Sequence, residues 1–350
     1  MAVPDPPACS FASDNTAGVL PEVLDALAAA NTPAALAYGD DEWTGRVVER
    51  FRELFDAPVE VLLCWGGTGA NVVGLASLLQ PWQAVICPDS AHIATDECGA
   101  PSRFTGSTLL DVPVVDGKLS PEAVRARASG GHGEHQVQPA VVSVSQTTEV
   151  GTVYRTDELR ALGDTAHELG LRLHVDGARI ANAVAATGDD LVTMIRDTGV
   201  DVLTFGATKN GAMYGEAVVY LDPSLATHAR FVRKQAGQLP SKSRFVAAQL
   251  LALLEGDRWV GTAAHANAMA ALLADRVRGI AGVEVLGAPE ANALFVRLPK
   301  AHIEALKDWS FFWDWDVDDG VVRWMTSFVT TVEDVEHFAA GVAAILGGDG

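Results

Sequence analysis

The sequence predicts an α/β protein with a mainly parallel central sheet and a smaller C-terminal α/β domain. Three observations carry this. Between residues 59 and 221, short apolar, β-rich runs alternate with segments of helical rhythm, the pattern of a parallel sheet built with right-handed crossovers. Beyond Asp257 the pattern changes to one long helical stretch, short strands and a final helix. At 350 residues and 49% hydrophobic content, the chain can bury one large core and a small second one.

The elements follow in order. Residues 1–18 are proline-rich and irregular, an arm ahead of a large domain over 19–256 and a small one over 257–350. Val23, Leu24, Leu27 and Ala28 recur at helical spacing between Leu20 and Ala30. The polar loop Tyr38–Thr44 leads into a helix at Gly45–Phe55, with Thr44 as the expected N-cap. A strand at Val59–Cys64 turns through Trp65-Gly66-Gly67-Thr68-Gly69 into a helix at Ala70–Leu79. Further strands are expected at Ala84–Cys87, Val141–Val144, Leu171–Val175, Val202–Phe205 and Ala217–Leu221. Thr156–Leu169 and Asp190–Thr198 read as helices between them. A helical stretch from Ser224 continues to Glu255 through an interruption at Pro240. The C-terminal part is expected to hold a helix at Val260–Ile280, strands at Val283–Leu286 and Ala293–Leu298, and a helix at Val332–Leu346.

Composition excludes several functions. The formal charge is 25 − 45 = −20, with no basic stripe to suit nucleic acid or an anionic membrane. The longest uncharged stretch, Val61 to Pro88, is broken by glycines and Pro81, so it does not read as a membrane span. The N-terminus lacks the basic and apolar regions of a signal peptide. Cys9, Cys64, Cys87 and Cys98 lack paired metal-ligand spacing, so no metal is expected, and a reducing, cytoplasmic setting is.

The chemistry is concentrated in two motifs. Lys209 follows the apolar run ending at Phe205, and Asp176 follows the run Leu171–Val175, 209 − 176 = 33 residues earlier, about one βα repeat. A lysine leaving a buried strand suits Schiff-base chemistry, because desolvation frees the amine. An aspartate leaving the preceding strand suits a pyridinium nitrogen. Pyridoxal 5′-phosphate (PLP) requires both groups. Gly67, Thr68 and Gly69 lie where a strand meets a helix N-terminus, a setting suited to phosphate. The stretch is neither a dinucleotide fingerprint nor a Walker loop. His92, after the strand Ala84–Cys87, can stack on a flat cofactor. Arg179 offers a planar fork for a carboxylate, and Arg323, between apolar residues, needs an anionic partner.

These pieces together resemble the low-specificity L-threonine aldolases of the aspartate-aminotransferase-like (fold type I) PLP enzymes. The matching residues are Ser13-Asp14, Tyr38-Gly39-Asp40-Asp41, Gly67-Thr68-Gly69-Ala70-Asn71, Ala91-His92, His174-Val175-Asp176-Gly177-Ala178-Arg179, Thr208-Lys209 and the surroundings of Arg323. The resemblance implies cleavage of β-hydroxy-α-amino acids, phenylserine types included, to glycine and an aldehyde. It implies Lys209 as the PLP lysine, Asp176 on the pyridine nitrogen and His92 on the ring face. It puts Gly67, Thr68 and Thr208 near the phosphate, and Ser13, Arg179 and Arg323 on the substrate carboxylate. His135 falls where the family often has a histidine near the substrate hydroxyl, so His92 and His135 are both candidate bases. It also implies a homo-oligomer, a dimer of dimers with shared active sites, for which the Tyr38 loop is the candidate contribution to a neighbour's site.

The chain departs from the common family pattern at Ser145-Gln146-Thr147 and Thr208-Lys209-Asn210. A frequent arginine after the lysine strand is replaced near Gln238–Lys242, leaving Arg233 or Lys242 to take its phosphate role. The same parts also serve transamination, β-elimination, racemisation and transaldol chemistry, which only products separate. A non-catalytic PLP-binding regulator is disfavoured, because no DNA-binding segment flanks the core.

Overall fold

The computed structural model describes residues 3–129 and 133–348. Seven strands form the central sheet: β1 (Glu60–Cys64), β2 (Gln83–Pro88), β3 (Thr108–Val112), β4 (Gln138–Ser145), β5 (Arg172–Gly177), β6 (Val202–Gly206) and β7 (Glu216–Tyr220). Their order is β1-β7-β6-β5-β4-β2-β3. Strand β7 runs antiparallel to both neighbours, and the other pairings are parallel. Alternate residues face opposite sides. Leu63, Ile86, Val144, Val175 and Phe205 pack with Phe51, Leu162 and Leu250 in the main core. Leu62, Cys64, Val202 and Val218 meet Ala70 and Val73 on the other face.

Two local corrections concern helix starts. The helix Glu42–Phe55 is capped by Asp41, whose carboxylate accepts the Thr44 backbone N–H at 2.8 Å. Thr44, the expected cap, already lies in the first turn, where Asp41 accepts both its N–H and, at 2.9 Å, its hydroxyl. The helix Gly67–Leu78 begins inside the glycine turn, so residues 67–69 are its first turn.

A second, antiparallel sheet has β8 (Glu284–Val285), β9 (Ala293–Arg297), β10 (Trp313–Asp316) and β11 (Val321–Met325) in the order β10-β11-β9-β8. It shares a core with the helices Arg258–Val277 and Val332–Leu346. The N-terminal residues cross from this sheet toward the large one. Phe11 is fully buried against Phe338, and its carbonyl accepts the Met325 N–H at 2.8 Å. Farther on, the Leu20 N–H donates to the Gly211 carbonyl at 3.0 Å. Among the described residues, no helix is long and apolar enough to cross a membrane.

Candidate active site

In an open parallel sheet, side chains converge in the crevice beyond the carboxyl ends of the strands. Here β1 ends into Gly67–Gly69, β2 into His92, β4 into Ser145–Glu149, and β5 carries Asp176 near its end. Beyond β6 lies Lys209, in a short turn Thr208–Asn210. Register aligns these ends: Ser145 pairs with Asp176, and Asp176 with Thr204.

Two glycines allow the approach. A Cβ on Gly206 would sit 2.4 Å from the Ala178 carbonyl oxygen, so only glycine lets the turn after β5 lie against β6. Gly211 closes the Lys209 turn at φ +106°, where a Cβ would also strike Leu20 at 2.5 Å. Glu216 braces the same turn from β7 by accepting the Ala207 N–H at 2.6 Å. Burial pushes the Glu216 carboxyl up to about 7.

Two connected clefts result. The narrow one, about 50 Å³, is lined by Gly67, Thr68, Asn71, Asp176 and Lys209 among others. The wider one, about 420 Å³, brings in Ser13, Trp313, Trp315 and Arg323. His92, Glu149, Arg179 and Lys209 line both. Burial, with the Arg179 charge second, lowers the Lys209 pKa, favouring the free amine. Asp176 accepts the Ala178 N–H at 2.9 Å and the Asn71 amide at 2.7 Å. That amide also reaches Glu97 at 2.9 Å, and Glu97 lies 3.1 Å from His92 Nδ1. The hydrogen bond to Glu97 raises the His92 pKa.

The arginines differ. Arg179 is held by Asp14 through Nε–Oδ2 and Nη2–Oδ1 contacts of 2.6 and 2.9 Å. Arg323 is part-buried, stands over the Trp315 ring at 5.7 Å, and its buried Nε has no hydrogen-bond partner. Burial and then the nearby Arg179 charge lower its pKa. Two guanidinium groups thus face one cleft, the setting an added carboxylate relieves.

Not every expected residue converges within the protomer. His135 is exposed in the turn before β4, at the opposite end of that strand from Ser145. The strand's extended length carries it about 25 Å away. Arg233 donates to the Leu63 carbonyl at 3.2 Å and shares a separate cavity of about 280 Å³ with Tyr38. Its helix, Ala229–Gln235, packs at the edge strand β1 and aims the guanidinium along that edge. Lys242 is exposed at the start of the helix Ser243–Leu254. Tyr38 is half-exposed, with Lys234 Nζ 5.1 Å from its ring centre. Thr208 is half-buried, and its side chain bonds Glu216.

Sequence reading missed Glu149, Glu97 and Gln238. Glu149 stands four residues past the end of β4, where a polar run after a buried strand was the available signal. Gln238 occupies the space a Cβ on Gly69 would need, 2.1 Å away, and its Oε1 accepts the Trp65 N–H.

The donor set fits PLP. A lysine with a lowered pKa, a buried carboxylate and a glycine-lined helix start bound one cleft. The first N–H groups of such a helix lack partners within it, and a Cβ on Gly67 would meet nothing within 4 Å. Open space therefore stands at the anion-binding end.

Comparison with known proteins agrees. The family model for beta-eliminating lyases matches residues 10–300. The chain is 44% identical over 340 residues to the low specificity L-threonine aldolase of Pseudomonas aeruginosa, covering 96% of this chain and 98% of that one. The enzyme of the same name from Pseudomonas sp. strain NCIMB 10558 is 44% identical over 96% of this chain and 97% of its own. The solved structure of Leishmania major threonine aldolase superposes with a TM-score of 0.88 at 32% identity, covering 94% of this chain and 97% of that one.

Proposed function

The chain belongs to the beta-eliminating lyase family and, within it, to the low-specificity L-threonine aldolases, and from that premise we infer how its residues divide the work. The fold is the aspartate-aminotransferase-like, fold type I α/β architecture. The protein is a PLP-dependent carbon–carbon lyase that cleaves β-hydroxy-α-amino acids such as L-threonine and L-allo-threonine to glycine and an aldehyde. When bound, PLP supplies an electron-accepting pyridine ring conjugated with the substrate nitrogen.

The observation that carries the reading is the convergence of Lys209, Asp176 and two arginines on one pair of clefts. Lys209 would supply the amine that holds the cofactor, its lowered pKa favouring the free base. Asp176 would face the ring nitrogen and hold a proton there, and its two donors, Ala178 and Asn71, fix the position of its carboxylate. Gly67, Thr68 and Gly69 present N–H groups and a hydroxyl to the phosphate. His92, lining both clefts, would cover the ring face. The open edge of Arg179, with Arg323 and Ser13, takes the substrate carboxylate. Fixing that group would orient the substrate about Cα, and Cα–Cβ is the bond an aldolase must present for cleavage.

The active form in this reading is a homo-oligomer, a dimer of dimers with shared sites. Tyr38 supports it, because the side chain is half-exposed and lies outside its own protomer's clefts. A cytoplasmic setting is supported by four free cysteines. Product analysis with L-threonine, L-allo-threonine and L-phenylserine tests the reaction. Glycine and the matching aldehyde are expected. Ammonia with a 2-oxo acid, and no glycine, would overturn it.

A further inference from the structure

Resting on the aldolase reading, we propose that Glu149 is the catalytic base that takes the β-hydroxyl proton of the substrate. Glu149 lines both clefts, as Lys209 and Arg179 do, and Arg323 stands in the wider one. The lysine marks where the substrate nitrogen lies and the arginines where its carboxylate lies. Cα and its β-substituent sit between them, beside Glu149.

One carboxylate oxygen is anchored. Oε1 accepts the Ser145 hydroxyl at 2.5 Å and the His92 backbone N–H at 2.8 Å. The other, Oε2, is buried with no hydrogen-bond partner. A buried carboxylate oxygen without a donor is costly, and a substrate hydroxyl is a donor of the right kind. His92 is the rival base. Its Nδ1 is engaged by Glu97, whose side chain is fully buried, and that pairing favours the protonated ring. A protonated imidazole has no lone pair to offer.

The charges around Glu149 are Asp176 on β5, which opposes its ionisation, and Arg179 beyond the same strand, which favours it. Lys209, Arg323, Glu97, Asp96 and Asp314 line the same clefts, and Cys87 on β2, Tyr154 and the His92 side chain are the other titratable groups nearby. Burial lifts the carboxyl above its ordinary value, toward the pH at which a general base works best. The step balances with no outside reagent. The O–H proton moves to Oε2 and the O–H pair becomes the C=O π bond. The Cα–Cβ bond breaks with its pair passing to Cα, and one proton delivered to Cα completes glycine.

Glu149→Gln separates this role from a structural one. Cleavage should fall by at least about 100-fold, and the acid-side limb of kcat/KM against pH should vanish. PLP binding and exchange of the glycine α-hydrogen in D2O, which need no β-hydroxyl base, should stay near the parent's. Parent-level cleavage in the variant overturns the proposal, and so does equal loss of cleavage, PLP binding and exchange. If the variant does not fold, the parent decides: its acid limb must appear in cleavage and be absent from glycine exchange. A limb in both, or in neither, removes Glu149 from the role. A parent that makes no glycine and aldehyde sinks the aldolase reading instead.

Discussion

Asp14 and Arg179, 165 residues apart, form a two-point ion pair at the mouth of the site, with contacts of 2.6 and 2.9 Å. Asn292 adds a third bond to the same carboxylate at 3.1 Å. Burial alone would raise the Asp14 pKa, but the Arg179 charge and hydrogen bonds outweigh it and hold the carboxyl below its ordinary range. The pair ties the N-terminal residues to the turn after β5. Asp14→Ala leaves a part-buried guanidinium without its counter-charge, so stability should fall by about 3–5 kcal/mol in urea unfolding. An unchanged unfolding midpoint would show that the pair contributes nothing to the fold.

Lys209 should be the residue that bonds PLP. Its lowered pKa follows from burial and Arg179, so the free amine is available at lower pH than for a solvated lysine. Borohydride treatment of the PLP-loaded protein, followed by peptide mapping, should label Lys209. Label on another lysine contradicts the assignment.

Asp176→Asn tests the ring-nitrogen partner. The amide keeps the shape of the carboxylate, so PLP should still bind. A neutral side chain no longer holds the proton on the pyridine, and kcat should fall by at least about 100-fold, as for loss of a preorganised electrostatic partner. Near-parent turnover with full cofactor content would exclude Asp176 from this role.

The strands that build the site were legible because Val141–Val144, Leu171–Val175 and Val202–Phe205 are mostly apolar and, apart from the exposed Arg172, buried, with only Ser143, His174 and Thr204 as polar residues inside. Strand β3 was not read, because at the sheet edge Thr108 and Asp111 are exposed and the apolar signal thins. Strand β10, Trp-Asp-Trp-Asp, is exposed throughout and carries no inward face to recognise. The Lys209–Asp176 pair was readable from the apolar runs and their spacing, since Asp176 stands near the end of β5 and Lys209 just beyond β6, one βα unit later. Glu149 was not, because its role depends on an unpartnered oxygen that only the three-dimensional arrangement reveals. Asp14 hid the state of Arg179 in the same way: a partner 165 residues away leaves no local mark.

His174 predicts an acid-sensitive core. It is fully buried between the Ser143 and Thr204 hydroxyls, at 2.9 and 3.2 Å. Burial pushes its pKa down to about 4, from an ordinary 6.5. The unfolded chain therefore binds a proton that the folded chain refuses. Stability should fall as pH drops from about 6.5 to about 4, by about 3 kcal/mol for this group. Unfolding free energies across that range check it, with His174→Gln as the control that flattens the slope. An equal slope in both proteins would assign the acid sensitivity elsewhere.

The Tyr38 loop carries the last prediction. Tyr38 adopts a left-handed conformation, φ +62°, held by its N–H to the Ser241 carbonyl at 2.9 Å. Such a conformation costs a non-glycine residue about 1 kcal/mol or more, so the surrounding contacts must hold the loop in place. With Lys234 against the ring and half of the side chain exposed, Tyr38 has room to meet a neighbouring copy. Tyr38→Ala and Lys209→Ala protomers should each be inactive alone. Dissociated, mixed and reassembled, they should regain part of the parent activity, because some sites then combine an intact Lys209 with an intact neighbouring Tyr38. Verified mixed oligomers without recovered activity would put Tyr38 outside any neighbour's site.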